Sequence, residues 1–166
     1  FRLGPPEGGV SPHELAQALD DRTACVCFFG GDPSTQAVHA IRAGQIILER
    51  SQGRVLRICF ETNGNLSPGA LDRALDLCLE TGGCIKFDLK AWNERLHQAL
   101  CGTTNRWTLE NFEYVAGVAS HRPEPPLLIA GKPSVTASTG RGLTHAAHRI
   151  VRKSQFPLLD RDRVEV

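Results

Sequence analysis

Four short apolar runs begin near residues 24, 55, 84 and 126, and a helical stretch separates each from the next. Parallel strands cannot be joined by a tight turn. They need a crossover of a dozen or more residues, usually a helix. The spacing therefore predicts an α/β fold with parallel strands and crossover helices. An open doubly wound sheet and a partial barrel both satisfy it.

Local signals place the elements. Ser11-Pro12-His13-Glu14 reads as a capping box with proline at the first helical position, opening a short helix to Leu19. Ala24–Phe29 reads as a buried strand, closed by Gly30-Gly31-Asp32-Pro33. A helix is expected over Ser34–Arg50, a strand over Val55–Phe60 and a turn at Thr62-Asn63-Gly64. Ser67-Pro68 opens a helix to Glu80, and Gly82-Gly83 stops it ahead of a strand over Cys84–Leu89. Helices over Asn93–Leu100 and Thr108–Ala119 and a strand over Pro126–Ala130 complete the regular part.

Beyond Ala130 the pattern fades into Gly, Ser and Thr, followed by His145, His148, Arg149, Arg152 and Lys153. Residues 1–130 carry 12 Lys and Arg against 15 Asp and Glu, whereas residues 131–166 carry 7 against 3. The expected division is a (β/α) core over 1–130 and an atypical basic tail over 131–166, solvated or foreign to the fold, with a helix conceivable over Thr144–Lys153. The tail lacks the interleaved aromatics of a single-strand nucleic-acid surface, so no nucleic-acid partner is expected. No apolar run nears the roughly 20 residues of a membrane span, so no membrane partner is expected and a cytoplasmic location is the default.

The most informative departure lies within the strands. Buried parallel strands usually read as continuous apolar runs. Here Ile85, Phe87 and Leu89 share one side of a strand, while Lys86, Asp88 and Lys90 share the other. Likewise Leu56, Ile58 and Phe60 oppose Arg57, Cys59 and Glu61. Unpaired buried charge is costly, so these faces must be ion-paired, hydrated or turned to a ligand. Ligands of α/β folds bind at the carboxyl ends of strands. At that rim the chain places Gly30-Gly31-Asp32, Glu61-Thr62, and Asp88 with Lys90. A structural ion pair, an Asp32 N-cap and an ordinary Asn63-Gly64 turn are the local alternatives.

In order, the residues Gly30-Gly31-Asp32, Glu61-Thr62-Asn63-Gly64, Lys86-Phe87-Asp88-Leu89-Lys90, Asn93, His97, Leu100, Gly102, Asn105 and Thr108-Leu109-Glu110 resemble the radical-SAM family, in particular the activating enzymes of pyruvate formate-lyase. The resemblance covers about residues 10–130 and is most specific over 84–112. It implies a partial TIM-like (β/α) barrel, of which about four strands are present here. It also implies reductive cleavage of S-adenosylmethionine at a 4Fe–4S cluster to a 5′-deoxyadenosyl radical, with a glycyl radical enzyme as protein substrate. By that resemblance Gly30, Gly31 and Asp32 would meet the amino group of S-adenosylmethionine, with Asp one methylene shorter than the family's Glu. Glu61 would lie near its sugar and carboxylate, and Thr62 would also belong to the cofactor-binding set. Asp88 would hold a cation or the methionine moiety, and Lys90 would neutralise the carboxylate.

The cluster motif of that family, Cys-x-x-x-Cys-x-x-Cys, is absent. The six cysteines are Cys25, Cys27, Cys59, Cys78, Cys84 and Cys101; Cys25 and Cys27 read as packing within a strand, and Cys78, Cys84 and Cys101 as core. The chain opens on Phe1 and contains no Met, which suggests that the natural N-terminus is missing; the resemblance places the cluster loop upstream of Phe1, and the tail, which does not resemble the family's continuation, is expected to be foreign to the fold, as from a shifted reading frame. The fragment is then expected to hold no cluster and to be inactive alone. Two other readings stay open: a cluster-free (β/α) lyase or aldolase using Lys90 or Lys86 as an amine nucleophile, and a non-catalytic fragment that only binds S-adenosylmethionine or a partner.

Overall fold

The computed structural model describes residues 9–120 and the backbone of 127–130. The first helix, α1 (Pro12–Gln17), starts at a complete capping box. The Ser11 hydroxyl accepts from Glu14 N–H, and the Glu14 carboxylate accepts from Ser11 N–H. Strand β1 (Cys25–Phe28) leads through Gly30-Gly31 into a 3-10 turn, Pro33–Gln36, and helix α2 (Ala37–Ser51). Then follow β2 (Arg57–Thr62), α3 (Pro68–Thr81), β3 (Cys84–Phe87), α4 (Glu94–Cys101), α5 (Arg106–Ser120) and β4 (Leu127–Ala130). Every expected strand and helix within the described residues is present, with ends shifted by at most three residues. The tail 131–166, its possible helix and Pro126 lie outside the described residues.

All strand pairs are parallel and the order is β1-β2-β3-β4. Consecutive strands are neighbours throughout, as in a stretch of barrel wall, and among the described residues the sheet is open rather than closed. Reversal of strand order, the mark of a doubly wound sheet, does not occur in these four strands.

One face of the sheet carries the core. Ile58 and Phe60 of β2 and Ile85 and Phe87 of β3 are buried against Ile41, Leu71, Ala74, Leu75, Cys78, Phe112 and Val115 from α2, α3 and α5. Phe60 stacks on Phe28 at 5.1 Å, and Phe87 meets Phe112 edge-on at 5.5 Å. Two backbone approaches fix this packing. A Cβ on Gly83 would lie 1.8 Å from Ile58 O, so only glycine lets the chain re-enter the sheet beside β2. A Cβ on Gly44 would meet Leu77 Cδ1 at 2.9 Å, at the contact of α2 with α3.

The other face contributes nothing to this core cluster. Strand register aligns Cys25 with Arg57, Cys27 with Cys59, and Glu61 with Lys86. Paired residues of adjacent strands project to the same side, so thiols and charges share this second face.

Candidate functional site

Three strand ends meet at the carboxyl rim. After β1 the chain turns through Gly30, whose φ of 86° suits glycine, and both Gly30 and Gly31 are exposed. Asp32 then caps the 3-10 turn, accepting from Ser34 N–H at 2.8 Å. Its carboxylate also reaches across to β2. Oδ1 accepts from the Thr62 hydroxyl at 2.9 Å, and Oδ2 accepts from Asn63 N–H at 2.5 Å. Both oxygens of Asp32 are therefore engaged within the protein. Thr62 is buried, faces the core side and also accepts from Gly64 N–H at 3.1 Å.

Glu61 and Lys86 lie side by side on the second face, with Lys86 Nζ 2.5 Å from Glu61 Oε1. That hydrogen bond raises the Lys86 ammonium above the ordinary lysine range. Just beyond β3, Asp88 N–H extends the ladder to Thr62 O at 2.8 Å, and the Asp88 carboxylate is ion-paired with Lys90. All four charged side chains are about one-third to nearly one-half exposed, Lys90 the most at 44%. They lie between core and solvent, where an ion pair contributes little to stability and its partners are free to exchange.

The Thr62–Asn65 turn is held from behind by α5. The Thr108 hydroxyl donates to Asn63 O at 2.6 Å, and Asn111 Nδ2 donates to Gly64 O at 2.7 Å and Leu66 O at 2.9 Å. Gly64 has φ of 84°, and a Cβ there would lie 2.8 Å from the Thr108 Cα. The Asn65 Oδ1 acceptor is buried with no partner among the described residues. Further along, Asn105 Nδ2 donates to Ala91 O and Trp92 O, and His97 Nδ1 donates to Thr103 O at 3.0 Å. Asn105, His97 and Thr108, which stood out in the sequence, thus brace the loops of the rim. Asn111 does the same, and sequence reasoning missed it; its apolar surroundings on a helix were the available signal.

The cysteines correct an expectation. Cys25, Cys27 and Cys101 are exposed and Cys84 is half-buried, rather than packed as small hydrophobes; of the six only Cys59 and Cys78 are buried. Cys25, Cys27, Cys59 and Cys84 share the second face because the core was completed by Ile58, Phe60, Ile85 and Phe87 on the first. Among the described residues no group of three or more His, Cys, Asp or Glu side chains is placed to hold a metal ion. Nor is any described helix long and apolar enough to cross a membrane.

The chain is 36% identical over 61 residues to the pyruvate formate-lyase 1-activating enzyme of Escherichia coli (strain K12), a match covering 37% of this chain and 24% of that enzyme. The enzyme of the same name from Shigella flexneri matches to the same extent. The matched region spans about a quarter of the length of these curated relatives. No family model matches the chain, and no solved structure matches it.

Proposed function

We propose that this chain carries the S-adenosylmethionine-binding rim of a radical-SAM core of the activating-enzyme type. The observation that supports this reading most is the clustering of an exposed Gly-Gly turn, Glu61, and the Asp88/Lys90 pair at neighbouring carboxyl ends of three parallel strands. The methionine half of the ligand is a zwitterion. Its carboxylate suits the point charge of Lys90, and its ammonium suits the carboxylates and the carbonyls of the Gly30-Gly31 turn. Partly solvated ion pairs can exchange partners with such a ligand at small cost. Asp32 and Thr62 act behind the surface in this reading, locking the β1 and β2 ends together.

When bound at a 4Fe–4S cluster, S-adenosylmethionine supplies the radical chemistry of this family. The thiols present do not fit that cluster. Cys25 and Cys27 lie two apart on an extended strand, Cys59 and Cys84 on the next two, and no loop offers three thiols to one cubane. Activation of a glycyl radical enzyme would call for cluster ligands other than these thiols.

The lyase or aldolase reading has less support at Lys86. An amine nucleophile is prepared by lowering its pKa, and Glu61 moves Lys86 the other way. The test is calorimetric titration of the iron-free chain with S-adenosylmethionine. Saturable binding that weakens at least about tenfold in Lys90→Ala and Asp88→Ala supports the rim. Absence of saturable heat, or equal affinity in both variants, overturns it.

A further inference from the structure

The second face of the sheet carries thiols that the rim does not use. Cys25 opens β1, an edge strand among the described residues, and is exposed. Cys59 lies within β2 and is buried. Their Sγ atoms stand 3.7 Å apart. The contact is diagonal. Cys25 is level with Arg57, two residues before Cys59, and Cys27 is the residue level with Cys59. Two residues of rise combined with one strand spacing put the Cα atoms of Cys25 and Cys59 about 8 Å apart. A disulfide spans Cα separations of about 4.4–6.8 Å, so these two sulfurs cannot bond to each other without backbone movement. An ion placed between them needs no such movement. Metal–thiolate bonds are about 2.3 Å for zinc, so two thiolates sharing one ion stand about 3.8 Å apart at a tetrahedral angle and about 4.6 Å apart in a line. The observed separation lies just below the near end of that range, and a small rotation of the exposed Cys25 side chain about χ1 brings it inside.

We propose that Cys25 and Cys59 hold one Cu(I) ion as a two-coordinate dithiolate on the second face. The number of donors selects the ion. A structural zinc site closes with four protein ligands and a catalytic one keeps three, and among the described residues no three His, Cys, Asp or Glu side chains converge. Cu(I) is soft, is selected by thiolate ligands, and is satisfied by two of them. Binding transfers no electron. Two Cu–S bonds form, two S–H bonds break, two protons leave to solvent, and the copper stays Cu(I). The product carries one negative charge, and Arg57, level with Cys25, sets a positive charge beside it. Burial holds the Cys25 thiol above the ordinary cysteine range while Arg57 draws it down. The thiols therefore keep their protons until the ion displaces them. Paired strands rather than loops fix the spacing of the two donors, and exposed Cys25 gives the ion its way in. Both sulfurs precede Glu61 on the strands, so the site stands apart from the rim and from its reading.

The experiment loads the reduced chain anaerobically with Cu(I) in excess reduced glutathione, which strips copper from single thiols. The chain is then desalted, its copper is measured, and alkylation by N-ethylmaleimide is followed peptide by peptide. The expected result is one copper per chain with two sulfur neighbours by X-ray absorption. Copper should slow alkylation of Cys25 at least about tenfold, because a metal-held thiolate is withdrawn from attack. The exposed Cys27 and Cys101 should react as they do without metal. Cys25→Ser should lose the ion and Cys101→Ser should keep it. Copper surrendered to glutathione, a shell of three or more sulfurs, or protection of Cys27 or Cys101 in place of Cys25 would overturn the assignment. The unmodified chain alone decides the matter, whatever the variants do to folding.

Discussion

Replacing Asp32 by Ala tests whether the rim is held together by a half-buried carboxylate that accepts from two backbone N–H groups and a hydroxyl. The substitution removes three acceptor contacts at once: Ser34 N–H, the Thr62 hydroxyl and Asn63 N–H. Ser34 is partly solvated and water replaces its partner at little cost. The Thr62 hydroxyl is only 2% exposed, and its loss of a charged acceptor is not made good by solvent. A buried polar group stranded in this way costs about 1–3 kcal/mol. Asn63 N–H, half-buried, adds a share of the same size or smaller. The total comes to about 2–4 kcal/mol, or a melting temperature lower by about 4–16 °C for a chain of this size. Asp32→Asn keeps one acceptor oxygen but turns an amide toward Asn63 N–H or Thr62, so an intermediate loss is expected. Urea denaturation of the two variants beside the parent chain measures both. A loss below about 0.5 kcal/mol for Asp32→Ala would refute the claim that this residue joins β1 to β2.

Gly83→Ala should abolish cooperative unfolding, because its Cβ would sit 1.8 Å from Ile58 O and neither backbone can yield without opening the β2 edge; a native circular dichroism melt would contradict this. The Glu61–Lys86 pair should give a stability term that depends on alkaline pH. Lys86 has a folded pKa raised above its ordinary 10.5, so the term is fully present below that value and fades as pH climbs through the raised folded value. Both partners are about one-third exposed, so the term is worth about 1 kcal/mol or less. Glu61→Gln should remove that alkaline slope in denaturation curves taken between pH 9 and 12. Anaerobic incubation with iron and sulfide should leave no absorption near about 400 nm after desalting, since the thiols lack cubane geometry; a retained chromophore would contradict that.

Element order was legible because glycine or asparagine turns punctuate the strands and a proline or capping residue opens several of the helices. The end of β2 was less so. Its hydrogen bonding runs on through Glu61 and Thr62 because Asp88 N–H and Asp32 hold those residues extended, a tertiary effect that no local pattern encodes. Alternation of side chains correctly separated Ile58 and Phe60 from Arg57, Cys59 and Glu61. Applied to β1 it would also have put Cys25 and Cys27 on the polar side. Composition alone reads them as packing, because Ala24–Phe29 is uniformly apolar, and composition does not say that the described helices cover only one face of the sheet. Pairing at the rim was equally hidden. Glu61 meets Lys86 because of strand register, and register is set across a sequence separation of 25 residues.

The most direct test of the rim is where S-adenosylmethionine acts on the molecule. Amide chemical shifts of the isotope-labelled, iron-free chain should move on titration at Gly30, Gly31, Glu61, Asp88 and Lys90. Those of α1 and of the outer surface of α3 should stay in place. Saturable shifts confined to the strand ends are the expected result. No shifts at millimolar ligand, or shifts centred away from the carboxyl ends of β1, β2 and β3, would contradict the assignment of this rim as the cofactor site.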